Sequence, residues 1–171
     1  MKTLIPVLCA VAVLAGCVTN NSGVDAPKPV AEAPKVVVDW DQLEGRDGVH
    51  YFEEKPFTGI AVRKKEWEVP FKDGKQDGLG TYWHENGQKS GEYTYKDGKT
   101  DGLQTVWYKN GQKGGEGTYK NGKLITGVGW KPNGEKCPVS VINGNGVEVW
   151  YNDDGTEGGR RIYKDGEQVL E

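Results

Sequence analysis

The chain has 171 residues, with 22 basic and 25 acidic side chains and a formal net charge of −3 at pH 7. This mildly acidic balance, without a long Lys/Arg cluster, argues against binding to nucleic acid or to anionic lipid head groups through a basic patch. Glycine is abundant, with 26 residues, whereas there are only three cysteines and two histidines. The length beyond the N-terminal segment fits one domain.

The N-terminus has the layout of an export signal. Met1 and Lys2 precede an apolar run from Leu4 to Leu14, which leads into small residues and a cysteine. The run is too short to span a bilayer as a stable helix, which needs about 20 apolar residues. The sequence therefore predicts a signal peptide over residues 1–16, removed by cleavage between Gly16 and Cys17.

The segment Leu14-Ala15-Gly16-Cys17 resembles the bacterial lipobox, so the resemblance implies diacylglyceryl attachment to the Cys17 thiol. Two or three acyl chains anchor a protein stably, because each buried methylene contributes about 0.8 kcal/mol. An ordinary secretory signal that happens to precede a cysteine is the alternative. By resemblance to the sorting habit of enterobacterial lipoproteins, Val18 after the cysteine favours the outer membrane over the inner membrane. We expect a lipid-anchored protein of the cell envelope.

Residues 17–38 follow as the lipidated cysteine and a Pro/Ala-rich tether that lacks aromatic residues and cannot form a core. Cys9 leaves with the signal and Cys17 is blocked by lipid, so Cys137 has no partner for an intramolecular disulfide. We expect Cys137 to be a small buried hydrophobic residue.

An internal repeat dominates the domain that we assign to residues 39–171. Residues 74–97 (GKQDGLGTYWHENGQKSGEYTYKD) and 98–121 (GKTDGLQTVWYKNGQKGGEGTYKN) align without gaps at an offset of 24. A third copy begins at Asn145, and residues 122–143 form a degenerate copy. Residues 47–52 repeat the start of a unit, so the sequence contains about five units.

Each unit consists of two short runs separated by turn dipeptides. Asn-Gly and Asp-Gly favour type I′ turns, in which both central residues have positive φ. They occur at residues 86–87, 97–98, 110–111, 121–122, 133–134, 154–155 and 165–166. The pattern predicts an all-β fold, an elongated antiparallel β-meander of about ten strands with one hairpin per unit. Residues 62–69 (VRKKEWEV) lack the dipeptide, which predicts a shortened or reshaped first hairpin.

Alternation along the strands assigns side chains to the two faces of the sheet. The regular columns are expected to hold neighbouring strands together. They comprise Leu79, Thr81 and Trp83, then Leu103, Thr105 and Trp107, then Val147, Val149 and Tyr151, with Phe71, Tyr95, Tyr119 and Tyr163 on the returning strands. The less regular positions are the candidate binding face, namely Tyr82, His84, Val106, Tyr108 and Trp150.

These repeats resemble MORN repeats, and more closely the bacterial variant found in YwqK-type antitoxin proteins. The segments DGLGTYWHENGQKSGEYTYKDGK and DGLQTVWYKNGQKGGEGTYKNGK carry the resemblance, which covers residue 45 to the C-terminus. It implies successive hairpins in an elongated sheet that serves binding or scaffolding. Antitoxin activity is implied only through repeat similarity.

The chemistry-bearing residues form no catalytic pattern. His84 occupies a repeat position that is Tyr108 in the next copy, so a surface role is expected for it. Neither Ser90 nor Ser140 has a nucleophile-elbow context, and most carboxylates fall in turns. We expect no enzymatic activity, no cofactor and no metal site.

Three functions remain open. The first is a non-enzymatic module that binds or scaffolds a protein partner while its lipid holds the membrane. The second is cell-wall glycan binding, in which aromatic rings stack on sugars. The third is antitoxin or immunity activity, which export would restrict to a toxin met in the envelope.

We predict that Cys17→Ser abolishes lipid labelling and leaves uncleaved precursor, because the Cys17 thiol is the predicted attachment site. Metabolic labelling with a tagged fatty acid, followed by gel electrophoresis, measures both effects. Cys9→Ser is the matched control and should leave labelling unchanged. Normal processing of the Cys17→Ser chain would refute the lipoprotein assignment.

Overall fold

The structure is a computed structural model that describes residues 36–169, apart from the side chain of Val139. The predicted signal peptide, the cleavage site at Gly16 and Cys17, and the tether up to residue 35 lie outside the described residues. Within these residues the only helical element is a 3-10 turn at Trp40–Gln42. No described helix is long and apolar enough to cross a membrane.

The predicted all-β meander is confirmed. Twelve strands follow one another in one long sheet in the order β1-β5-β6-β8-β9-β10-β11-β12-β13-β14-β15-β16, β7 pairs with β6, and β2-β3-β4 form a small second sheet. The strands are β1 Val37–Asp39, β2 Glu44–Arg46, β3 Val49–Phe52, β4 Lys55–Pro56, β5 Gly59–Arg63, β6 Trp67–Lys72, β7 Lys75–Gln76, β8 Gly78–Trp83, β9 Lys89–Lys96, β10 Lys99–Trp107, β11 Lys113–Lys120, β12 Lys123–Trp130, β13 Lys136–Ile142, β14 Asn145–Tyr151, β15 Glu157–Lys164 and β16 Glu167–Val169.

Five long hairpins form the sheet, as the repeat predicts: β5–β6, β8–β9, β10–β11, β12–β13 and β14–β15. Consecutive hairpins also pair with each other, so each returning strand is bonded on both sides. The strand count exceeds the expected ten because short strands flank the hairpins and a separate small sheet precedes them.

The turn dipeptides fall into two classes, and the type I′ prediction is wrong for one of them. At residues 97–98, 121–122 and 165–166 both residues have positive φ, as type I′ requires. At residues 86–87, 110–111, 133–134 and 154–155 only the glycine does.

The second class lies inside five-residue loops, where the side-chain oxygen of the Asn or Asp accepts a hydrogen bond from a backbone N–H of the loop. In the first such loop, Asn86 Oδ1 accepts a hydrogen bond from the Gln88 N–H at 3.0 Å, and the Gly87 N–H donates to the His84 carbonyl at 2.9 Å. Short polar side chains cap turns in this way, so the same dipeptide serves two turn geometries.

The folded part begins before Asp39, which corrects the boundary of the tether. Strand β1 pairs in parallel with β5, and its register places Val38 opposite Ala61. The Val38 side chain is buried. Burial of an apolar side chain in the core is favourable because it removes apolar surface from water. This explains why the valines at the end of the predicted tether form a strand of the sheet.

The main core lies at this N-terminal end of the sheet. Val38, Phe57, Ala61, Val69 and Phe71 form its buried centre. Trp40, Leu43 and Phe52 pack on it from the segment that includes the small sheet, and Phe57 lies 5.9 Å from Phe71 between ring centroids. The first hairpin is therefore covered on one face by the segment that precedes it.

A smaller apolar contact lies farther along the sheet. Leu124 and Val141 are almost completely buried. A Cβ added at Gly117 would lie 3.0 Å from Leu124 Cδ1, so this glycine leaves the space that the leucine fills. The Leu124 N–H also donates to the Gly166 carbonyl at 3.0 Å, which ties β12 to the turn before β16.

We predict that Leu124→Ala lowers the free energy of unfolding by about 2–5 kcal/mol, because it removes buried methyl groups and leaves a cavity. Leu103→Ala is the matched control, since Leu103 is 52% exposed and a surface substitution changes stability by about 0.5 kcal/mol or less. Urea unfolding followed by circular dichroism measures both variants. Equal losses in the two variants would contradict the assignment of Leu124 to a core position.

Candidate binding surfaces

The five residues of the predicted binding face separate into two groups. Tyr82, Val106 and Trp150 lie on one face of the sheet, opposite Gly91, Gly115 and Gly159 of the returning strands. His84 and Tyr108 lie beyond the ends of their strands, in the five-residue loops. A register shift follows Tyr82, Val106 and Trp150, so alternation could not be extended from the strands into the loops.

The face that carries Tyr82 is lined with tyrosines, and we call Tyr82, Tyr93, Tyr95, Tyr119 and Tyr163 the tyrosine face. The Tyr82 and Tyr93 rings meet edge to face at a centroid distance of 4.9 Å. The hydroxyls of Tyr82 and Tyr95 are hydrogen-bonded at 3.1 Å. Such aromatic pairs stabilise a sheet by packing across strands, so Tyr82 has a structural role here.

Glycines form the floor on which these rings lie. A Cβ at Gly91 would be 2.5 Å from Tyr93 Cε2, and one at Gly159 would be 2.5 Å from Trp150 Cζ2. Tyr93 lies over a glycine of its own strand and Trp150 over one of the neighbouring strand, and each ring restores contact area that glycine lacks. Burial accordingly raises the pKa of Tyr93, Tyr95, Tyr119 and Tyr163, because the charged phenolate loses hydration.

The loop residues of the predicted face bind the next hairpin. The His84 Nε2 atom is 2.9 Å from the Trp107 carbonyl, and the Tyr108 hydroxyl donates to the Trp130 carbonyl at 2.6 Å. Tyr108 is buried. These side chains therefore link consecutive hairpins. Of the five residues predicted to form the binding face, Trp150 is the most exposed, at 37%.

The loop asparagines form a second link, which no pattern in the sequence indicated. The Asn86 amide donates to the Lys109 carbonyl at 3.0 Å, and the Asn110 amide donates to the Pro132 carbonyl at 2.9 Å. Each of these asparagines also caps its own loop through Oδ1. In the last hairpin Asp154 stands at this position and accepts from Thr156. A carboxylate can cap a loop, but it has no N–H to donate onward.

The opposite face carries alternating aromatic and basic residues near the loops, which we call the lysine–aromatic ladder. The Lys89 ammonium lies 5.5 Å from the Trp107 ring centroid, Lys113 lies 5.4 Å from Trp130, and Lys131 lies 5.6 Å from Tyr151. Each cation comes from the hairpin that precedes its aromatic partner. A cation within about 6 Å of a ring centroid is attracted by the ring quadrupole.

Carboxylates complete the ladder. Lys113 pairs with Glu116 at 2.6 Å, and Lys89 pairs with Glu92 in the same way. The lysines thus lie over the aromatic surface on which a sugar ring would stack. This arrangement weighs against glycan binding along the ladder.

One groove of about 560 Å³ lies at the start of the ladder. The first hairpin contributes Arg63, Trp67 and Glu68, and the next contributes Trp83 and His84. It forms because the loop at residues 64–66 has three residues, whereas the neighbouring loop at 84–88 has five. The predicted shortening of the first hairpin is confirmed, but the groove that it opens could not be read from the sequence.

The remaining reactive side chains are packed. Cys137 is free and buried, as expected for a small hydrophobic residue, and burial raises the pKa of its thiol. His50 packs between Trp40 and Phe71, with centroid distances of 4.9 and 5.2 Å. Within residues 36–169 no group of three or more His, Cys, Asp or Glu side chains could hold a metal ion.

Comparisons with known proteins do not place the chain in a family. No protein-family profile matches it, and no curated protein matches it. Among solved structures, a chain in the crystal structure of the GtfA/B complex bound to UDP and GlcNAc is similar at 17% identity. The match covers 70% of this chain and 23% of that one, with a TM-score of 0.29. A similarity at this level carries no argument about function.

We predict that the tyrosine face makes the protein lose stability at alkaline pH. A tyrosine whose folded pKa is raised contributes stability below the unfolded pKa of about 10, and that contribution is lost as pH rises toward the folded value. Tyrosinate absorbance and circular dichroism during a pH titration should therefore show buried tyrosines ionising in the same cooperative step as unfolding.

Tyr95→Phe should reduce the absorbance amplitude of that step. Ionisation of every tyrosine near pH 10 with the fold intact would contradict the prediction.

Proposed function

We propose that the repeat sheet is a non-enzymatic module that binds a protein partner, held at the bacterial cell envelope by lipid on Cys17. The signal-like N-terminus and the resemblance to the lipobox support the anchor. The tether between residues 17 and 35 would allow a reach of about 60 Å when fully extended at ~3.1 Å per residue.

A row of exposed leucines is the observation that carries the binding proposal. Leu79 and Leu103 occupy the same position in consecutive repeats, and each is 52% exposed. Their cross-strand partners on the returning strands are Thr94 and Thr118. Repeated large apolar side chains on one open surface are a feature of protein interaction sites.

The leucine row differs from the other repeated positions, which have partners inside the sheet. The tyrosine face packs on glycines, the loops bind the next hairpin, and the ladder pairs cations with aromatic rings. In the part of the chain that the structure describes, the core cluster contains neither Leu79 nor Leu103. Their side chains are thus available to a partner at little cost to the fold.

The edges of the sheet are less suited to strand addition. Strand β1 has three residues at one edge, and β16 is the charged segment Glu-Gln-Val at the other. Short edges and charged edge residues disfavour pairing with another chain. The open face therefore supports partner binding better than the edges do.

We predict that a photo-cross-linking residue at position 103 forms a specific adduct with an envelope protein in intact cells. Leu79→Glu in the same chain should lower the adduct yield several-fold, because a charge in the neighbouring repeat opposes apolar contact. The yield of the adduct, measured by immunoblot, tests this.

A cross-linking residue at exposed position 54, in the turn between β3 and β4, is the matched control and should give no such adduct. The expression level and the unfolding curve of the Leu79→Glu chain should match those of the parent. Equal labelling at positions 103 and 54, or an adduct that persists unchanged with Leu79→Glu, would refute the leucine row as a binding surface.

A further inference from the structure

The groove at the start of the lysine–aromatic ladder has the chemistry of a binding site for an ammonium group. In the strand register, the groove is equivalent to the positions in the following repeats where Lys89 and Lys113 each contact an aromatic ring and a glutamate. Thr81 pairs with Glu68 and Tyr82 with Trp67, just as Thr105 pairs with Glu92 in the next repeat. Glu68 is therefore the counterpart of Glu92, and Trp83 is the counterpart of Trp107.

The two following repeats show what such a site binds. In the first, the Lys89 ammonium contacts the Trp107 ring and pairs with Glu92. In the second, the Lys113 ammonium lies 5.4 Å from the Trp130 ring centroid and 2.6 Å from Glu116. One aromatic ring and one carboxylate thus hold each lysine, a combination suited to a cation with an aliphatic stem.

At Trp83 the ring and the carboxylate are present without the cation. Lys65 stands three residues before Glu68, as Lys89 stands before Glu92. Because the first loop is short, Lys65 is a left-handed turn residue with φ of 66° instead of a strand residue. Within residues 36–169, neither an ion pair of Glu68 nor a cation over the Trp83 ring is found.

The charges around the groove permit a cation to enter. Arg63 is paired with Asp41 at 3.1 Å, and it lies 6.0 Å from the Trp67 ring centroid. The other ionised side chains that line the groove are two lysines, Lys64 and Lys65, and two glutamates, Glu68 and Glu85. Their charges balance, so the local contact with Trp83 and Glu68 decides which ion is preferred.

We infer that this groove binds a lysine side chain of the partner protein, with its ammonium group on the Trp83 ring and against Glu68. The inference rests on the proposed function, because it assigns the partner a basic side chain beside its apolar contact with the leucine row. A partner lysine would extend the ladder by one step, toward the N-terminal end of the sheet.

Butylammonium is a suitable probe, since it reproduces the end of a lysine side chain. The full folded chain, with its tryptophans labelled by nitrogen-15, is titrated while NMR follows the indole N–H of Trp83. We expect saturable binding in the millimolar range, and no saturable binding of neutral 1-butanol. Glu68→Gln should weaken butylammonium binding about two- to fivefold, the factor expected for one exposed charge contact. Glu53→Gln, in the turn between β3 and β4, is the matched control and should have no effect.

Two further variants separate the alternatives. Trp83→Leu should abolish binding, provided that its unfolding curve matches that of the parent. Lys65→Ala should strengthen binding modestly, because it removes a like charge from the rim. Binding seen only in Lys65→Ala would mean that the chain's own Lys65 occupies the groove, which would overturn the inference. Butylammonium and 1-butanol binding equally well would overturn it too.

The test is independent of the leucine row. Absence of butylammonium binding, with the adduct at position 103 intact, would overturn the groove inference and leave the proposed function standing. Saturable binding that is sensitive to Glu68, without any adduct at position 103, would support the groove and overturn the leucine row.

Discussion

The link between one loop and the next is the interaction on which the repeat sheet depends. Asn86 and Asn110 each accept a hydrogen bond within their own loop and donate one to a carbonyl of the following hairpin. The tight turns at the other end are linked through backbone atoms in the opposite direction, since the N–H groups of Gly98 and Gly122 donate to the Gln76 and Thr100 carbonyls of the preceding repeat. Both ends of the second and third hairpins are thereby fixed to a neighbour, with backbone polar groups of the loops and turns satisfied.

Because each hairpin is linked to its neighbours, many side chains on both faces of the sheet are used in contacts between hairpins. The buried centre of the main core lies at the N-terminal hairpin, and Tyr82 and Tyr95 of the next hairpin pack against it. Farther along the sheet, the hairpins are held by the smaller apolar contact at Leu124 and Val141 and by pairing with their neighbours. On one face, tyrosines lie over glycines of their own and of adjacent strands; on the other, lysines bridge aromatic rings and carboxylates. These side chains are occupied within the sheet. The proposed recognition by a partner uses positions that these contacts leave exposed, the Leu79 and Leu103 row and the groove at Trp83.

The groove illustrates how a departure from a repeat can create a site. A loop shorter by two residues keeps the carboxylate of Glu68 and the ring of Trp83 in register, but it moves Lys65 into a left-handed turn. A repeat that was uniform would fill every such position with its own lysine. The site formed by Glu68 and Trp83 is thus left for a partner's lysine, whereas the following hairpins fill the equivalent sites with their own lysines. The other face of the first hairpin is fixed by the core around Val69 and Phe71.

The all-β fold, about five hairpins and an altered first hairpin were predictable from the sequence, because a repeated dipeptide and alternation act over a few residues and need no distant partner. It could not separate the two kinds of Asn-Gly turn, since the choice depends on whether the Asn86 side chain or the backbone closes the loop. It also assigned His84 and Tyr108 to a binding face, whereas their partners are the Trp107 and Trp130 carbonyls, over 20 residues away in the chain. Only the tertiary structure, which sets the register between hairpins, decided which side chains are occupied and which remain open to a partner.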